Sequence, residues 1–162
     1  MPSYSSLPDH SRVWVYQSNR LLDSHEIKEI KKAAEVFLEE WAAHGKSLMA
    51  AIEIFYNHFI VIMIDEEQAS ASGCSIDASF KFIQELEKEL KITLLDRLMV
   101  AFRQDEGISV CRIDEFESKI KSEEIDEDVI VFNNLVDTKK TFDSQWEVLL
   151  KDSWHRKLLL PK

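Results

Sequence analysis

A chain of 162 residues with 45% apolar content is long enough for one globular core and too short for two ordinary domains. It carries 30 acidic against 20 basic residues, and a net charge of −10 with no basic stripe interleaved with aromatics excludes nucleic acid as a partner. The longest purely apolar run, 59–64, is far short of a bilayer span, no apolar signal segment opens the chain, and two cysteines make no disulfide framework, so a cytoplasmic protein with no membrane partner is expected.

Residues 1–11 are polar, contain two prolines, and predict a flexible N-terminal arm before a single domain over 12–162. Val13-Trp14-Val15-Tyr16 follows as a strand of β-branched and aromatic residues. Asp23 and Glu26 have the spacing of a capping box, and Ile27, Ile30, Ala34, Phe37, Leu38 and Trp41 then recur at helical spacing. Gly45 stands where a helix end favours a left-handed residue. Residues 48–55 and 59–64 are two strands joined through Tyr56-Asn57-His58 as a hairpin. A polar loop, 65–73, leads to a second helix from near Ser75, with Ile76, Phe80, Ile83, Leu86 and Leu90 on its apolar face. A fourth strand over 98–102, a turn at 104–107 and a fifth strand over 108–113 complete a core of 12–113.

Strand, helix, strand, strand, helix, strand is the ferredoxin-like βαββαβ order, an α+β two-layer sandwich with both helices on one face of the sheet. The run 59–64 is apolar on both faces, however, so the second face of that sheet needs a cover. One cover is a C-terminal extension, 114–162: residues 129–132 read as a strand, and Phe142, Trp146, Leu150, Trp154 and Leu158 fall at helical spacing. The other is a second copy of the chain in a homodimer. The acidic stretch 114–128 between core and tail predicts a solvated helix and loop.

Gly45-Lys46-Ser47 matches the end of a phosphate-binding loop, but Glu40 stands where the first glycine is required. A helix also precedes it and a strand follows, the reverse of the arrangement that cradles phosphate. Val13-Trp14-Val15-Tyr16-Gln17, Asp65-Glu66-Glu67-Gln68, Ser72-Gly73-Cys74-Ser75-Ile76-Asp77 and Asp152-Ser153-Trp154-His155 resemble segments of an uncharacterised bacterial protein family. Members of that family are sometimes labelled ABC transporter ATPase. The resemblance runs from about Arg12 to His155 and implies no activity, cofactor or site residue. The ATPase label would require a complete Walker A motif and an ABC signature loop, and the chain has neither.

Ser72, Gly73, Cys74, Ser75 and Asp77 form the segment with the most chemical content. A glycine beside a thiol at a helix start places Cys74 near unpaired N–H groups and the positive end of the dipole, a setting that lowers a thiol pKa and suits an anion. Catalysis would add a base such as His44, His58 or His155. The same residues equally make an ordinary helix start, with Ser75 as cap, Gly73 as turn and Cys74 as a small hydrophobe. Asp65 and Glu66 with Asp77 form an acid/base candidate or a polar strand exit beside a compensated dipole. No metal is expected: His25-Glu26 lacks the second histidine of a zinc helix, the cysteines are far apart, and Asp126-Glu127-Asp128 lacks a calcium loop's alternation. No cofactor is expected either. Three functions remain: a small binding or interaction protein with a ligand- or anion-binding loop at 72–77, a cysteine-dependent enzyme or redox sensor using Cys74, and a structural subunit whose sheet face meets another protein.

Overall fold

The computed structural model describes residues 3–43, 49–66 and 73–159, apart from the side chains of 42, 43 and 73–75. The chain is α+β, and its described elements stack in four layers: two helices, a three-stranded sheet, a four-stranded sheet, and an outer layer of short helices. Gly45, Lys46 and Ser47 lie outside the described residues.

Helix α1, Ser24–Ala43, starts where the capping box places it. The Glu26 N–H donates to Asp23 Oδ1 at 2.8 Å, and the Asp23 N–H donates to Glu26 Oε1 at 3.0 Å. Arg20 grips the same carboxylate through Nη1 at 2.8 Å and Nη2 at 2.7 Å. Its guanidinium, with the Asp23 N–H, holds Glu26 at a pKa of about 2. One residue thereby satisfies a helix end and anchors the segment leading into it.

Strand β3, Phe59–Asp65, lies between β1, Arg12–Gln17, and β2, Met49–Phe55, antiparallel to both. All seven of its residues are buried, as a strand apolar on both faces must be. Ile60, Ile62 and Ile64 pack under α1 and α2, Gly73–Leu90, against Ile30, Leu38, Ile83 and Leu86. Phe59, Val61 and Met63 point the opposite way and meet Ala101, Phe132, Phe142 and Trp146. The cover for the second face is therefore the rest of the same chain.

That cover is a second antiparallel sheet in the order β5-β4-β6-β7, built from Gly107–Arg112, Met99–Gln104, Ile130–Phe132 and Glu147–Leu149. Its outer face, with Val100, Phe102 and Val131, is closed by Phe116 of α3, Ile113–Lys121, and by Leu150 and Leu158. β4 does not join the first sheet as a ferredoxin-like order would have it. The outer edge of β1 is met instead by the tail, through the Val13 N–H to Asp137 C=O bond at 2.9 Å and the Arg12–Thr138 bridge.

Two further expectations are corrected. The tail is not one helix through Phe142, Trp146 and Leu150. Helix α4, Lys139–Gln145, ends after two turns, and Glu147–Leu149 becomes β7 because the free edge of β6 pairs with it in three register positions. The shared helical and strand periodicities of a few large residues hid that break. Nor do residues 4–10 hang loose. Leu7 is buried in the interlayer core, the Tyr4 ring meets Phe55 and Phe142 edge-on at 5.6 and 5.8 Å, and the Lys140 N–H donates to Asp9 C=O at 3.0 Å.

Candidate functional site

Helices α1 and α2 reach the sheet with Ile30, Ala34 and Leu38 on one side and Ile83 and Leu86 on the other. Between them, on the side away from the sheet, runs an open groove of about 530 Å³. Its floor is apolar: the Phe37 and Phe82 rings stack at 4.6 Å, and Ala33 and Ala78 keep the walls low. Val36 stands in the groove with 52% of its surface exposed. Glu29, Glu40, Glu85 and Glu89 rim this floor against only Lys32 and Lys81, so the opening is acidic on a chain that is acidic throughout.

The groove arises from two stripes with one spacing. Positions 29, 33, 36 and 40 on α1 and 78, 82, 85 and 89 on α2 each run i, i+4, i+7, i+11, one step around the helix from the core-facing residues. Each stripe mixes acids with apolar residues. Counting only the core-facing residues passes over it; a valine flanked by charges on an exposed face was the available signal.

The residues singled out from the sequence lie on several elements, and part of them fall outside the described residues. Ser72 lies outside the described residues; Gly73, Cys74 and Ser75 are the first residues of α2, and their side chains are likewise outside the description. Asp77 is exposed on that helix. Asp65 is buried at the end of β3 with His10 Nε2 at 3.0 Å from Oδ1, and Glu66 pairs with Arg12 at 3.2 Å. His44 is outside the described residues. His58 is buried beneath the β2–β3 turn, where burial pushes its pKa down.

His155 has a serine partner, which makes it the strongest catalytic candidate on paper. Its Nδ1 lies 3.0 Å from Ser153 Oγ. The same hydroxyl accepts the His155 backbone N–H at 3.0 Å and sits 3.2 Å from Leu150 C=O, so it closes a local turn. Both residues are buried and the imidazole stacks on Trp154 at 3.9 Å, the setting of a packed turn. Burial holds this imidazole at a pKa of about 4, with Lys157 adding to the depression.

Cys111 faces the outer core layer, and burial pushes its thiol up to about 11, which makes it a poor nucleophile. Another polar cluster, Tyr56 with Arg103 and Glu147, acts as a clamp. The Tyr56 hydroxyl donates to Glu147, Arg103 Nε donates to Glu147 Oε1 at 2.7 Å, and the guanidinium lies 4.9 Å over the Tyr56 ring. It fastens the β2–β3 turn, left-handed at both Tyr56 and Asn57, to the second sheet. Among the described residues no group of three or more His, Cys, Asp and Glu side chains could hold a metal ion, and no helix is long and apolar enough to cross a membrane. No protein-family model, curated protein or solved structure matches the chain.

Proposed function

We propose that this chain is a cytoplasmic binding protein and not an enzyme, and that its α1–α2 groove receives a basic amphipathic helix from a partner protein. The observation that carries the proposal is the pairing of an apolar floor with a rim of four glutamates and two lysines. A helix laid in such a groove would seat its apolar side chains on Val36, Phe37 and Phe82 and set lysines or arginines against Glu29, Glu40, Glu85 and Glu89. A net negative rim favours encounter with the opposite sign and disfavours acidic segments. The proposal includes membership of the uncharacterised bacterial family and a ferredoxin-like origin for β1-α1-β2-β3-α2, with the fourth strand drawn into the second sheet. Neither assigns a residue to chemistry.

The test is fluorescence anisotropy with a labelled leucine–lysine peptide of helical period, beside a scrambled peptide and one with glutamate for lysine. Saturable binding of the first alone is expected, weakening at high salt. Glu85→Lys with Glu89→Lys should lower affinity about tenfold or more, and Val36→Glu should do the same without unfolding an already exposed position. Equal binding of the scrambled peptide, or none of the first, would overturn the proposal.

A further inference from the structure

Strand β5, Gly107–Arg112, is one edge of the second sheet. Its turn with β4 is a two-residue loop, Asp105 and Glu106, both left-handed at φ 48° and 65°, closed by the Gln104–Gly107 pair. In a hairpin of this kind the closing residues exchange both backbone hydrogen bonds. The odd-numbered residues of β5 therefore bond to β4. The far end agrees, because the Ile113 N–H donates to Leu98 C=O at 2.9 Å. By the same alternation the N–H and C=O groups of Ile108 and Val110 point off the edge, and nothing among the described residues bonds to them.

Native edge strands are usually shielded by proline, lysine, a bulge or a covering segment. This one has six consecutive pairs with β4 and no bulge, and it contains neither Pro nor Lys. Ile108 and Val110 lie on the interlayer face and are only half-buried there. An extended apolar edge of this length is a template for another strand.

We propose that β5 is a homodimer interface, in which the edges of two copies pair antiparallel about a two-fold axis at Ser109. In that register Ile108 of each chain faces Val110 of the other, so all the outward N–H and C=O groups of both residues are used. Their side chains then extend the interlayer core across the axis. Glu106 comes opposite Arg112 of the second copy, twice by symmetry. The neighbouring register, centred on Val110, would put Ile108 against Arg112 and carry Glu106 past the end of the strand, where the chain turns into α3, which disfavours it. The occupant is thus a second copy of this chain, chosen by self-complementary charge. This interface is independent of the α1–α2 groove.

Sedimentation equilibrium of the full chain over a range of concentrations should show a monomer–dimer equilibrium. Val110→Pro deletes only an outward N–H and leaves the β4–β5 ladder intact, so that variant should be monomeric. Arg112→Glu should weaken dimerisation about tenfold or more, and adding Glu106→Arg to it should restore the affinity. Ser109 faces its own copy at a non-hydrogen-bonded position, where Cα atoms lie about 4.5 Å apart, within disulfide range. Ser109→Cys in a Cys74→Ser background should therefore cross-link under mild oxidation, and Cys74→Ser alone should not. If Val110→Pro fails to fold, the charge swap and the cross-link decide. A wild-type chain that stays monomeric, or a dimer indifferent to Arg112→Glu and without the Ser109→Cys cross-link, overturns the proposal.

Discussion

Acid should weaken this fold through one histidine, and the effect can be worked from its surroundings. The His155 side chain is 2% exposed, stacked on Trp154, and held near a pKa of about 4 against an ordinary value of 6.5. Between those two values the unfolded chain takes up a proton that the folded chain refuses. Stability is therefore unaffected above about pH 6.5, falls as the pH drops toward 4, and is not lowered further by this group below that. At about 1.4 kcal/mol per pH unit the gap corresponds to about 3 kcal/mol, a large part of an ordinary domain's stability of about 5–15 kcal/mol. His58, also depressed by burial, acts with the same sign. Glu26 acts in a lower window: its stabilisation is present above the ordinary carboxylate pKa and is lost as the pH falls toward 2.

The assay is urea denaturation followed by tryptophan fluorescence from pH 7.5 to 4.5, comparing wild type with His155→Gln. Glutamine retains a hydrogen-bonding group for Ser153 and does not titrate. The variant should be less stable at pH 7.5, where it loses the Trp154 stack, yet its stability should fall less steeply with acid. The difference in slope should approach one proton, about 1.4 kcal/mol per pH unit, between pH 6 and 4.5. Parallel slopes for the two proteins would refute the assignment of acid sensitivity to this buried ring.

Phe132, 1% exposed and ringed by Phe59, Tyr56 and Trp146, joins the two sheets, so Phe132→Ala should cost about 3–5 kcal/mol by urea denaturation. Cys111 should resist iodoacetamide in the folded protein and react on unfolding, as its buried thiol requires. Slow alkylation is also expected at Cys74, whereas a reaction confined to Cys74 with a midpoint well below about pH 8.5 would favour the enzyme alternative.

Legibility in the sequence followed the range of the forces involved. The start of α1 could be read because Asp23 and Glu26 satisfy each other's backbone within one turn. The β2–β3 hairpin was legible in outline from its apolar runs, though nothing local required Tyr56 to adopt φ 55°. That conformation is held by contacts to Glu147 and Trp146, some ninety positions on. The double-sided apolar pattern of 59–64 correctly demanded a covering layer. It could not say that β4 would leave the first sheet to help build it, because strand partners are chosen by edges and edges are not written in periodicity.

The two proposed surfaces differ in the same way. On α1 and α2 the helical repeat itself sorts core from groove, so Ala33, Val36 and Glu40 were available to anyone who followed the stripe beside the buried one. The β5 edge had no such signature: Ile108 and Val110 alternate with Ser109 and Cys111 as in any half-buried strand. Only the closing pair of its hairpin determines that Ile108 and Val110 turn their backbone groups outward. A shift of one residue in that turn would direct Ser109 and Cys111 to the edge and leave Ile108 and Val110 bonded to β4. The left-handed pair Asp105 and Glu106, held away from the interface they orient, therefore determines which backbone groups a second chain can meet.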